Sequence, residues 1–155
     1  MKKIIIASFF IAASLLSVGQ TRFGSSAFLQ TSISAGADRI VNENVEIGAE
    51  HKHNRVSVVA QSFNSKPNDD RKYLVGVKYL RLLPVLPNLD ATVSLAAKTR
   101  VDNTALYVIE PGAGLNFNLG RGIGFVTGVS SPVTQVSYNK REINIAGNAG
   151  LIFKL

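Results

Sequence analysis

Residues 143–155, "INIAGNAGLIFKL", decide how the whole chain is read. Ile143, Ile145, Gly147, Ala149, Leu151, Phe153 and Leu155 fall on one parity, and Asn144, Ala146, Asn148, Gly150, Ile152 and Lys154 on the other. Successive side chains of a strand point to opposite faces, so this is a strand with one apolar face and one face of mostly polar and small groups. Chain ends usually trail off in loose polar residues. A terminal strand needs a partner, and the first strand, near residues 28–37, is the expected one.

The same two-residue period recurs along the chain, and no segment carries a helical one. It predicts eight strands, near 26–37, 44–51, 55–63, 72–82, 89–100, 105–119, 122–131 and 142–155. The apolar parities are Leu29, Ile33, Ala35; Val45, Ile47, Ala49; Val56, Val58, Ala60; and Tyr73, Val75, Val77, Tyr79. They continue with Leu89, Ala91, Val93, Leu95; Tyr107, Ile109, Ala113, Leu115, Phe117; and Ile123, Phe125, Val129.

Ahead of these strands the chain begins "MKKIIIASFFIAASLLSVGQT". Lys2 and Lys3 precede an apolar run from Ile4 to Leu16, and small residues Ser17 and Gly19 follow, which is the layout of a secretory signal peptide ending at residue 19. The run is shorter than the roughly 20 residues a membrane helix needs. Residues 20–155 then form one domain, and the absence of cysteine means an exported protein stabilised without disulfides.

Periodicity does not say which face points inward. A soluble barrel of the lipocalin kind lines its interior with apolar groups, and a membrane barrel reverses the assignment. Residue size favours polar-in. The polar parity holds Ser32, Ser34, Gly36, Gly112, Gly114, Gly122, Gly124, Gly128, Ser130, Ala146 and Gly150, which fit a narrow interior better than a solvated surface. On the same parity lie four acids, Glu46, Glu50, Asp90 and Glu110, and four bases, Arg55, Lys78, Lys98 and Arg100. A neutral set is what an enclosed lumen requires, because an unpaired buried charge costs several kcal/mol.

The connections alternate in character. "DRIVNE", "NSKPNDDR", "RVDNTA" and "SPVTQVSYNKRE" are polar, whereas "HKHN" and "GRG" are short turns. The apolar "LLPVLPN", with Pro84 and Pro87, reads as a turn at a membrane interface, where ladder bonding must cease. The polar connections supply candidate contact residues, Lys66, Asp69, Asp70, Arg71, Tyr138, Lys140 and Arg141, for an outer partner the sequence does not name. Their acids and bases balance. At the opposite end Arg22, Lys52, Arg81, Arg121 and Lys154 meet no acid, and they are expected to reach lipid headgroups. These singletons in separate turns make no continuous basic groove with interleaved aromatics, which excludes nucleic acid as a partner.

Sites of chemistry are not legible. His51 and His53 lack a third metal ligand nearby and read as turn residues. Ser137 to Lys140 matches S-x-x-K, but in a loop rather than on a helix in a cleft. "GRGIGFVTG" precedes a strand, not the helix a phosphate cradle needs, and the "NDD" of Asn68 to Asp70 reads as a solvated turn. The chain is therefore read as non-enzymatic, without metal or cofactor.

Taken together, the leader, the eight alternating segments, the short turns opposite longer polar loops and the terminal "AGLIFKL" resemble the small outer-membrane β-barrels of the OmpA/OmpX-like kind. That resemblance implies an all-β, eight-stranded antiparallel up-and-down barrel in a bacterial-type outer membrane, surrounded by outer-membrane lipid. It also implies that the barrel-assembly machinery reads the last strand, here through Leu151, Phe153 and Leu155. Aromatic girdles are expected to be thin, with no Trp and only Tyr73, Tyr79, Tyr107 and Tyr138. The expected role is structural or interactive, through the outer loops. Two other readings stay open: a narrow solute channel lined by Glu46, Arg55, Lys78, Lys98 and Glu110, and a soluble exported lipocalin-like barrel around an apolar ligand.

Overall fold

A computed structural model describes residues 26–36, 41–63, 72–101, 107–137 and 140–155, with the side chains of 41, 63, 134–137 and 140–142 outside what it describes. Alternating β-branched and aromatic residues on one parity favour extended backbone, and every described element is a strand. These are β1 (Ser26–Gly36), β2 (Val41–His51), β3 (Asn54–Phe63), β4 (Lys72–Leu86), β5 (Leu89–Arg100), β6 (Tyr107–Gly120), β7 (Ile123–Ser130), β8 (Val133–Ser137), β9 (Lys140–Ile143) and β10 (Ala146–Lys154).

The ten segments make eight barrel staves. Strands β1 to β7 pair in sequence order, β7 pairs with β10, and β10 pairs with β1 to close the ring. The closing register runs from Phe28 opposite Lys154 to Gly36 opposite Ala146, which is the first-with-last pairing the terminal sequence predicts. β8 and β9 are outward continuations of β7 and β10. Val133 pairs with Ile109 and Ile143 in the same register that sets Ser130 against Gly112 and Ala146.

Two prolines explain the interruption. Ser131 N donates to Pro111 O, and Asn144 N donates to Pro132 O, but neither proline has an N–H to return the second bond of its pair. The ladder thins there without slipping. The seventh connection, expected as a polar loop over residues 131–142, is consequently a hairpin extension of the wall.

"LLPVLPN" also departs from its expected reading. The turn is shorter than the expected one: β4 continues to Leu86 and only Pro87 and Asn88 turn, with one irregularity between Pro84 and Leu86. Leu82 N donates to His53 O, so the N of residue 84 faces the same side, beyond Asn54 where β3 begins. No ladder bond is lost to Pro84, as for proline at any sheet edge.

A line perpendicular to the strands through Ser26, Glu50, Arg55, Leu80, Ser94, Gly112, Ser130 and Ala146 meets β1 again at Gly36, ten residues along. For eight strands that stagger gives a tilt of about 40° and a backbone radius of about 8 Å. Such a ring has room for side chains and little else.

Polarity is inside-out. Val56, Val58, Val77 and Val129 point outward and stay more than half exposed, while Arg55, Ser57, Gln61, Lys98 and Asn116 on the opposite parity are buried. An apolar interior around a ligand, the lipocalin-like arrangement, is not what the chain adopts. The polar parity is nevertheless not wholly polar. Phe28, Val126 and Ile152 pack together inside, with Phe28 at 1 % and Ile152 at 0 % exposure, and Leu80 and Leu82 are buried on the same face.

Candidate functional site: the lumen

The interior charges are arranged in three tiers along the barrel axis. Nearest the long connections, Lys98 Nζ donates to Glu110 Oε2 at 2.5 Å and to Gln61 Oε1 at 2.6 Å. In the middle tier Glu46 accepts from three sides: Lys78 Nζ at 2.8 Å, Gln30 Nε2 at 3.2 Å and Ser57 Oγ at 3.3 Å. Toward the short turns, Glu50 binds Arg55 Nε at 2.6 Å through Oε2 and Lys154 Nζ at 2.9 Å through Oε1. Asn116 links this tier to Asp90, accepting from Arg55 Nη1 at 3.4 Å and donating to Asp90 Oδ2 at 3.0 Å.

Strand pairing builds these contacts locally. Glu50 and Arg55 lie directly opposite across the β2–β3 hairpin, and β5 and β6 bring Lys98 and Glu110 within one diagonal step. Glycine allows the close approach of β4 to β5: a Cβ on Gly76 would stand 2.0 Å from Ala97 O and 2.7 Å from the Cα of Lys98, so a side chain does not fit there.

Seven of the eight lumen charges expected from sequence enter the interactions above. Arg100 lies on the same face one inward step beyond Lys98, half-exposed toward the long connections. Lys154 is the charge that sequence reasoning misassigned. Grouped with the basic residues of the short-turn end, it turns into the lumen and pairs with Glu50. Its parity, shared with Gly150 and Ile152, carries the signal. Gln30, Gln61, Ser57 and Asn116 were also missed, being neutral.

The apolar cluster lies among the lower charges. Phe28 and Ile152 fill the bore beside Arg55, whose guanidinium carbon stands 5.5 Å from the centre of the Phe28 ring, a cation–π contact. Toward the long connections a polar cavity leaves about 40 Å³ for water centres, lined among others by Gln30, Glu46, Lys78, Lys98 and Glu110. A second of similar size shares Gln30, Lys78, Ser94 and Asn148 with it. Each has room for a few waters, on the order of one per 10–15 Å³.

Of the outer contact residues, Lys66, Asp69, Asp70, Arg71 and Tyr138 lie outside the described residues. Lys140 and Arg141 belong to β9, with their side chains outside the description. The assembly-strand residues Leu151, Phe153 and Leu155 share the outward face, with Phe153 in register between Leu29 of β1 and Ile123 of β7. His51, Lys52 and His53 are exposed at the β2–β3 turn, and among the described residues no group of three or more His, Cys, Asp or Glu converges on a metal geometry.

Aromatic residues gather at two levels of the outer face. Tyr73 and Tyr107 stand near the long connections, while Phe117, Phe125 and Phe153 gather near the short turns, the first two with ring centres 6.2 Å apart. Counting only Tyr and Trp missed the lower band.

No protein-family model matches the chain, and no curated protein matches it in sequence. Solved structures do. The N-terminal β-barrel domain of Pseudomonas aeruginosa OprF superposes with a TM-score of 0.65 at 11% identity, covering 84% of this chain and 97% of that one. A de novo designed transmembrane β-barrel gives 0.61 at 14% identity, covering 84% and 95%. Neisserial surface protein A gives 0.54 at 12% identity, covering 84% and 96%. The chain thus has the fold of the small eight-stranded transmembrane β-barrels.

Proposed function

We propose that this protein is an outer-membrane β-barrel with a side-chain-filled, charge-paired lumen, non-catalytic, acting as a structural element or in surface interaction through its long connections. The observation that carries the reading is the reversed polarity: an outward belt of exposed Val, Leu, Ile, Tyr and Phe around a core of ion pairs. In water such a belt would aggregate, and in lipid it is solvated. Phe28, Val126 and Ile152 closing the bore support a plugged rather than an open barrel.

Membrane residence is tested by refolding into detergent or lipid. The folded chain migrates differently in gels before and after boiling and needs amphiphile to stay in solution. Recovery as a soluble monomer without detergent would refute the proposal.

The polar cavity lined by Glu46, Lys78, Lys98 and Glu110 favours one second reading, a narrow solute path. Planar-bilayer recordings separate the two. The plugged barrel gives no unitary steps, whereas single-channel events that disappear in Lys78→Ala and Lys98→Ala would establish the channel.

A further inference from the structure

Arg81 breaks the pattern of its own face. β4 turns Tyr73, Val75, Val77, Tyr79, Leu83 and Val85 outward, and Arg81 takes that parity between Tyr79 and Leu83. Its guanidinium stays on the outer surface. Nη1 donates to Asn54 Oδ1 at 2.9 Å, and the Tyr79 hydroxyl donates to the same oxygen at 2.7 Å. Asn54 sits directly opposite Arg81 on β3, and Val93, opposite on β5, is an exposed apolar neighbour.

A guanidinium carries five N–H donors in a rigid fork, and among the described residues the oxygen that Arg81 binds, Asn54 Oδ1, is already shared with Tyr79. The described charged residues exposed at this end are basic: Lys52, Arg81 and Arg121. Leu83, Val85, Val93 and Leu95 flank the site with exposed apolar surface. An anion attached to something apolar fits this place, the fork meeting the charge and the exposed Leu and Val side chains meeting the tail. A phosphodiester offers two oxygens that match the fork, and acyl chains match the flanks.

We propose that Arg81, held by Asn54 beside Tyr79, binds the phosphodiester headgroup of a phospholipid in the leaflet at the short-turn end. This rests on the membrane reading above and adds to it a specific lipid contact.

The test is native mass spectrometry of the full-length mature barrel, released from detergent after incubation with phosphatidylglycerol, with gel heat-modifiability confirming each variant's fold. Wild type retains bound phosphatidylglycerol, Arg81→Gln retains about tenfold less, and Arg121→Gln retains as much as wild type. Retention unchanged in a folded Arg81→Gln overturns the proposal. Should that variant not fold, wild type alone decides, since it must keep phosphatidylglycerol at least tenfold over diacylglycerol, which lacks the phosphate. Competition by millimolar inorganic phosphate with no lipid preference would also overturn it. A wild type that is soluble and monomeric without detergent would instead remove the membrane reading itself.

Discussion

Lys154 and Glu50 meet at 2.9 Å across an intervening strand: β10 carries the lysine, β2 the glutamate, and Phe28 of β1 lies between them in register with Lys154. The closing seam is thus stitched twice, by the β1–β10 ladder and by an ion pair that skips β1. Lys154→Met keeps the packing length and removes the stitch. Because this lysine is about a third exposed, the loss is expected to be about 1 kcal/mol rather than the full cost of breaking a buried pair. Urea unfolding in lipid vesicles measures it, and a cycle with Glu50→Gln should return a coupling energy of that size.

The Glu46–Lys78 pair is more deeply enclosed, and Glu46 also satisfies Gln30 and Ser57. Removing the carboxylate alone, as Glu46→Leu, strands a lysine inside the barrel and should cost about 3–5 kcal/mol. Replacing both members, as Glu46→Leu with Lys78→Met, should recover most of that loss. If the double variant is no more stable than the single one, the two charges are not compensating each other.

Phe28 and Ile152 are the side chains that fill the bore near the short turns. Phe28→Ala with Ile152→Ala should destabilise the fold by several kcal/mol, about 2–5 for each large-to-small change. The same variant should conduct in planar bilayers where the parent does not. Silence in the folded variant would place the barrier elsewhere in the lumen.

Lys52 holds a left-handed backbone, φ 53°, in the β2–β3 turn, a conformation that costs a non-glycine residue roughly 1 kcal/mol. The β6–β7 turn uses glycine for two of its three left-handed residues, Gly120 and Gly122, with Arg121 between them. Lys52→Gly is therefore expected to raise the urea midpoint slightly without altering the gel shift. A lowered midpoint would mean that the Lys52 side chain contributes more than its backbone strain costs.

The fold was legible because one signal repeats eight times: outward Val, Leu, Ile and Tyr at every second residue, with small groups between. Boundaries failed where proline acted through its neighbours. Pro84 reads as a strand breaker until Asn54 is seen to be the limit of the adjacent strand, and nothing local says so. The lumen was legible as charges but not as a packed object. Ile152 and Phe28 look misplaced on a polar parity, and only the narrow ring that ten residues of stagger produce makes apolar filler necessary there. Lys154 escapes a grouping of charges by barrel end, because only its parity, shared with Gly150 and Ile152, says that it points inward.

Ser131 and Pro132 stand opposite Asn144 and Ile145 where the ladder is broken. Because partners keep one numbering across it as far as Gln135 opposite Arg141, the wall is scored there without being offset, like a perforated sheet. The segments just beyond the perforation, Val133 to Gln135 and Arg141 to Ile143, inherit their alignment from the eight staves beneath. The distal hairpin is thereby a tip rooted in a stem whose count the closed ring sets.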